Sequence, residues 1–144
     1  MAKAKIVLDT SVLVAGFRSR RGAAFRLLSL VGTRRFDIAL SVPGVLEYEE
    51  ALRRIPWLTE SDIQDILDYL CSIAIHQEIF FLWRPYLRDP KDDMVLELAV
   101  AAGCTAIITY NQRDFAGAED FGLRVLTPAA FLDELARRER GGIR

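Results

Sequence analysis

Acidic residues recur in this chain next to short apolar runs, and their spacing is the first feature with chemical content. Asp9 closes the run Ile6-Val7-Leu8. Asn111 and Asp114 follow Ala106-Ile107-Ile108-Thr109 within a few residues. Asp92 and Asp93 stand in a turn opened by Asp89-Pro90, and Glu47, with Glu49 and Glu50 behind it, follows Ser41-Val42-Pro43. Gathered at one place, three or four carboxylates repel one another, and some are driven to protonate. A hard divalent cation removes that conflict, and an oxygen-only donor set selects Mg²⁺ or Mn²⁺ over zinc.

Each acid also has a plainer reading. Asp9 can cap the helix that begins near Thr10, although an acid ending a buried apolar strand is costly without a partner. Asp92 and Asp93 can serve as first-turn acids favoured by the helix dipole, the preferred reading for Asp93. Asn111 and Asp114 can be turn residues, and Glu47 by itself a solvated helix acid. Other chemistries lack their residues. No G-x-x-x-x-G-K-[ST] loop occurs, which excludes a P-loop nucleotide site. His76 is the single histidine, expected at the surface, so neither a histidine triad nor a histidine-ligated zinc can be built. Ser11 stands two positions after Asp9, where a phosphoaspartyl phosphatase needs a second Asp. The absence of any lysine after Lys91 excludes a response-regulator receiver.

The elements that position these acids follow from hydrophobic periodicity. Ile6–Leu8 reads as a first buried strand leading into a helix over Val12–Phe17, then a basic loop from Arg18 to Gly22. A second helix covers Ala23–Val31, and Phe36–Leu40 is a second strand. Ser41 with Pro43 marks the start of a helix that runs to about Arg53, until Pro56 breaks the pattern. From Thr59, the residues Ile63, Ile66, Leu67, Leu70, Ile73 and Ala74 make one apolar helical face, with Leu58 ahead of the cap. Ile79–Trp83 is the expected third strand. Asp89-Pro90 opens a helix that Gly103 ends. Ala106–Thr109 and Arg124–Leu126 are the last two strands, and Thr127-Pro128 opens the final helix. Strands alternating with helices predict a mainly parallel sheet covered on both faces, with ligand chemistry beyond the C-terminal strand ends.

Composition sets the frame. The chain has 144 residues and is 51% hydrophobic and 27% charged, which suits one domain with a single core. We expect that domain over residues 1–136, with a frayed basic tail over 137–144. Nineteen Lys+Arg against twenty Asp+Glu give a net charge of −1 and exclude a uniformly basic nucleic-acid coat. Sixteen of the nineteen cations are Arg, which favours bidentate contacts to carboxylate or phosphate. Cys71 and Cys104 read as buried free thiols. Without a signal-peptide pattern or a membrane-length apolar run, a cytoplasmic protein with no membrane contact is expected.

Taken in order, the motifs resemble the PIN domain family over almost the full chain. Val7-Leu8-Asp9-Thr10-Ser11-Val12-Leu13 is similar to its first motif. Ser41-Val42-Pro43-Gly44-Val45-Leu46-Glu47 resembles the second, Asp92-Asp93-Met94-Val95-Leu96-Glu97-Leu98-Ala99 the third, and Thr109-Tyr110-Asn111-Gln112-Arg113-Asp114-Phe115 the fourth, in the version of VapC-like bacterial toxins. Ser11 departs from the family's common Asn, but its hydroxyl can still bond a carboxylate. Asp93, Glu49 and Glu50 leave the third and second positions open by one to three residues.

The resemblance implies a three-layer α/β/α sandwich and a metal-dependent ribonuclease, the toxin of a toxin–antitoxin pair. Asp9, Glu47, Asp92 and Asp114 would form its acidic quartet. Mg²⁺ or Mn²⁺ would sit on Asp9, Asp92 and Asp114, with Thr10, Ser11, Thr109 and Asn111 in support. Arg18, Arg20 and Arg21 are candidate phosphate contacts beside it, and Tyr110 reads as a packed aromatic, with base stacking as its alternative. A cognate antitoxin and a homodimer are implied partners. The Leu58–Ala74 stripe is a candidate dimer face, although core packing is its preferred reading. Two rivals stand beside this: a PIN-like module that binds RNA or protein without cutting, and a DNA-flap nuclease, for whose usual insertions 144 residues leave little room.

Overall fold

Apart from Lys5, the strand β1 (Ala4–Leu8) is buried throughout, as is β2 (Phe36–Leu40) apart from Asp37. Strands apolar on both faces belong in the middle of a covered parallel sheet. The computed structural model describes residues 3–80 and 86–142 and places them there. The sheet has the order β3-β2-β1-β4-β5, with β3 Ile75–His76, β4 Ala106–Ile108 and β5 Arg124–Leu126, and every pairing is parallel. In register, Ile6 lies beside Ile38 on one flank and Ala106 on the other.

The strand alternation divides the core in two. Ile6, Leu8, Ile38, Leu40 and Ile108 point into a cluster built with α1 (Thr10–Arg18), α2 (Ala23–Leu30), α3 (Val42–Leu52), α4 (Glu60–Ile73) and α6 (Pro128–Gly142). Val7, Ala39 and Ile107 point the other way, onto α5 (Pro90–Ala101) and the two 3-10 turns Gln112–Phe115 and Ala118–Phe121. The result is the expected α/β/α sandwich, with one layer much thicker than the other. Ile63, Leu67 and Leu70 are buried in the thick layer, so core packing consumes the α4 stripe that was a candidate dimer face. At its start, Thr59 and Asp62 form a reciprocal capping box.

Two expectations are corrected. The third strand is not Ile79–Trp83: α4 ends at Ile73 with Ala74 as its C-cap, and the chain pairs at once through Ile75 and His76 with Ala39 and Leu40. The Gln77 amide then bonds the Leu40 carbonyl, where β2 ends, so Ile79 and Phe80 have no strand to join. Residues 81–83 of that expected strand lie outside the described residues. The expected frayed tail is also helical, because α6 continues to Gly142. Arg137 pairs with Asp133 one turn back, and Arg35 grips Glu139 with two N–H donors. His76 is exposed, as expected, and bonds the Cys71 carbonyl. Cys104 is buried and Cys71 half-buried, both as free thiols. Among the described residues, no helix is long and apolar enough to cross a membrane.

Candidate active site

The strand order reverses between β1 and β4: β2 and β3 lie to one side of β1, and β4 and β5 to the other. In open α/β sheets this reversal leaves a crevice at the C-terminal strand ends. Here it opens as a cavity of about 210 Å³ whose lining includes Asp9, Glu47, Asp89, Asp92, Asn111 and Asp114. Four short local structures deliver these groups. Asp9 is the first residue after β1. Glu47 sits on α3, whose N-terminus is capped by Ser41 accepting from the Gly44 amide. Asp89 caps α5 by accepting from the Lys91 amide, which places Asp92 one turn along the same helix. Asp114 is presented by the 3-10 turn after β4, which buried Phe115 anchors.

Asp9 occupies the N-cap position of α1 but makes no side-chain cap bond, so the plain capping reading fails. Its Oδ2 instead accepts from Ser11 Oγ and Thr109 Oγ1, each at 2.8 Å. Those hydroxyls are themselves oriented. Thr109 Oγ1 accepts from the Asn111 amide at 2.9 Å and Ser11 Oγ from the Tyr110 amide at 3.2 Å, which directs both O–H groups toward Asp9. Beneath Asp9, the buried Tyr48 donates its hydroxyl to the Leu8 carbonyl at 2.5 Å and ties α3 to the end of β1. Burial, and next the Asp9 charge, raise the Tyr48 hydroxyl pKa and keep it a donor.

Asp92 bears the electrostatic strain of the cavity. Burial pushes its carboxyl up to about 7, and the charges of Asp9, Asp89, Asp114 and Asp93 add to the effect. Asp93 is engaged elsewhere. Its Oδ1 accepts from the Leu87 amide at 2.8 Å and the Tyr86 amide at 3.2 Å, and it does not line the cavity. Glu49 and Glu50 pair with Arg53 and Arg54 and are likewise absent from the lining.

The structure thus brings Asp9, Glu47, Asp92, Asp114, Thr10 and Asn111 to one cavity, with Ser11 and Thr109 behind Asp9. It does not bring the arginines. Arg18 ends α1, about 12 Å of helix rise from Thr10, and Arg20 and Arg21 follow it, all three exposed. Tyr110 is 45% exposed, so it is not the packed aromatic expected. Three lining residues escaped sequence reasoning. Asp89 had a signal, since it stands three residues before Asp92 at a helix entry. Tyr48 and Lys91 had none, because their positions depend on how α3 and α5 approach each other.

The donors are all oxygen, and Asp92, raised by burial first and by its carboxylate neighbours next, has four acids around it, so the donor types fit a hard divalent cation. Among the described residues, no three Asp, Glu, His or Cys side chains are close enough to form a ligand cluster.

Among solved structures, VapBC-1 from nontypeable Haemophilus influenzae is similar in fold, with a TM-score of 0.58 at 12% identity. The match covers 87% of this chain and 98% of the matched chain. No curated protein matches in sequence. The family model described as PIN domain matches residues 5–113, a stretch that holds every acid of the cavity except Asp114. By that match over most of its length, reinforced by the sandwich and by the position of its acids, this chain belongs to the PIN domain family.

Proposed function

We propose that this protein is a Mg²⁺- or Mn²⁺-dependent ribonuclease that acts as the toxin of a toxin–antitoxin pair. The observation that carries the reading is the convergence of Asp9, Glu47, Asp92 and Asp114, from four separate elements, on one cavity at the strand-order reversal. Membership of the PIN domain family and the fold shared with VapBC-1 support it.

Asp9, Asp92 and Asp114 would hold the cation, directly or through water. The chemistry supplied by a bound divalent cation would be activation of water and neutralisation of charge at the phosphate. Ser11 and Thr109 occupy Asp9 Oδ2, fix the carboxylate plane and leave Oδ1 for an incoming group. A cation beside Asp92 would favour its carboxylate form, because opposite charge nearby stabilises the ionised group. Thr10 and Asn111 offer polar groups at the cavity wall. Tyr110, exposed and next to Asn111, would offer its ring to stack a base. The loop of Arg18, Arg20 and Arg21 would meet phosphates beyond the cavity. The expected protein partner is an antitoxin laid across this groove, and any pairing of two copies must use a face other than the buried α4 stripe.

A binding module without turnover is the second reading, and the spacing of the acids favours it to the extent that no ligand cluster is already assembled among the described residues. One panel of RNA and single-stranded DNA in Mn²⁺, with Asp9→Asn alongside, separates them. RNA cut by the native protein and spared by the variant is the expected result. RNA bound but uncut in every metal establishes the binding module, and DNA cut in preference to RNA overturns the substrate assignment.

A further inference from the structure

The acidic cavity repels the phosphate backbone that a ribonuclease must bring to it. Asp9, Glu47, Asp89, Asp92 and Asp114 line it, and Lys91, a cation in that lining, is engaged with Glu47 Oε2 at 3.3 Å. At a net charge of −1, the chain as a whole offers RNA no general attraction. Local cations at the rim are therefore needed, and the loop of Arg18, Arg20 and Arg21 begins only at the far end of α1.

Two other arginines adjoin the lining directly. Arg88 precedes Asp89, and Arg113 precedes Asp114, so each is one residue from a cavity acid. Arg35, Arg53, Arg54, Arg124 and Arg137 are all paired with carboxylates, whereas Arg88 and Arg113 are exposed and belong to no ion pair among the described residues. Their backbones are nevertheless fixed. On either side of Arg88, the Leu87 amide donates to Asp93 and the Asp89 side chain caps α5. On either side of Arg113, Gln112 Nε2 donates to the Val125 carbonyl at 3.0 Å and Asp114 leads into buried Phe115. Leu87 and Phe115 enter the same apolar cluster, which ties both segments to the thin layer of the sandwich. Local rules disfavour Arg88, because it precedes the N-cap of α5 at the positive end of the helix dipole. A residue that opposes its local preference is expected where a site needs it.

We infer that Arg88 and Arg113 bind the RNA backbone at the rim of the cavity, each guanidinium gripping a phosphate so that the chain between them is drawn past the acids. This deepens the proposed function and rests on it. The planar guanidinium can donate two parallel N–H bonds to one phosphate, and a backbone already held in place lowers the cost of ordering the side chain. Phosphate contacts set register and carry no sequence information. The two arginines thus decide where the RNA lies, not which bases it holds.

The test is binding of a fluorescent single-stranded RNA of mixed sequence to the intact protein in EDTA, across a range of KCl, with cleavage in Mn²⁺ measured alongside. Arg88→Ala and Arg113→Ala are each expected to weaken binding roughly tenfold and to make log affinity against log salt shallower by about 0.7, the increment for one phosphate on a single strand. Arg88→Lys and Arg113→Lys keep the charge and should keep the native slope. Arg140→Ala, exposed in the last turn of α6, should change neither affinity nor slope. In Mn²⁺ the two alanine variants should raise KM more than they lower kcat. Native affinity and slope in both alanine variants overturn the inference, and cleavage by the native protein then leaves the proposed function standing. An equal loss in Arg140→Ala also overturns it, because the attraction is then diffuse. RNA neither bound nor cut by the native protein overturns the proposed function, and this inference with it.

Discussion

The two ends of the sheet use the same residue types to opposite effect. At the N-terminal strand ends, each acid of the ion pairs has its own cation: Lys3 with Asp37, Arg35 with Glu139, Arg124 with Glu134. At the C-terminal ends, Asp9, Glu47, Asp89, Asp92 and Asp114 share one cavity with a single cation, Lys91, among the described residues. Exposed pairs of the first kind are worth little individually. In the second arrangement, burial first and the neighbouring carboxylates next raise the Asp92 carboxyl to about 7, which opposes folding once it is ionised. An excess of charge that stability disfavours is kept where chemistry needs it.

The largest test of this contrast is loss of chemistry at the acidic end alone. Asp9→Asn or Asp92→Asn should lower Mn²⁺-dependent RNA cleavage by roughly a hundredfold or more while the protein stays folded, measured by gel assay with circular dichroism alongside. EDTA should stop the native reaction and added Mn²⁺ restore it, and cleavage that survives full chelation would sink the metal assignment.

Stability should move the other way. The folded-state pKa of Asp92 is raised, so its favourable contribution is full at low pH and is lost as pH rises toward about 7. In EDTA, the native protein should therefore lose stability between about pH 4 and 7 and then level off. Asp92→Asn should flatten that slope and gain roughly 1–2 kcal/mol at pH 8, a figure reduced because the side chain is only partly buried. Urea melts across pH check it, and a variant less stable than the native protein at pH 8 would contradict the strain.

A smaller effect belongs to the hydroxyls behind Asp9. Thr109→Val leaves the Asn111 amide unpaired and Asp9 Oδ2 short of a donor, and should cost about 1–3 kcal/mol together with a loss of Mn²⁺ affinity. The smallest is at the opposite end, where Arg124→Ala should cost about 0–1 kcal/mol and leave Mn²⁺ binding unchanged.

Much of the frame was legible because it rests on local rules. Phe36–Leu40 and Arg124–Leu126 have the expected bounds, and the caps at Ser41, Thr59 and Asp89 stand where their side chains predict. The misplaced third strand shows where such rules stop. Ile79 and Phe80 have strand-like composition, yet pairing depends on where β2 ends, and it ends at Leu40. The cavity shows the same limit, since Asp92 and Asp93 are alike in type and helical position. Only the approach of residues 86–87 to Asp93 leaves Asp92 to the cavity.

By itself, the sequence determined the alternation of strands and helices, the apolar faces and the acids at the strand ends, because each follows from periodicity and from the residue types that end a strand or start a helix. The tertiary structure decided which acids share a cavity, that Asp9 accepts from Ser11 and Thr109 rather than capping α1, and that Lys91 reaches Glu47. These depend on strand order and on the approach of α3 to α5. Contacts between residues 44 or 100 positions apart have no local pattern to reveal them.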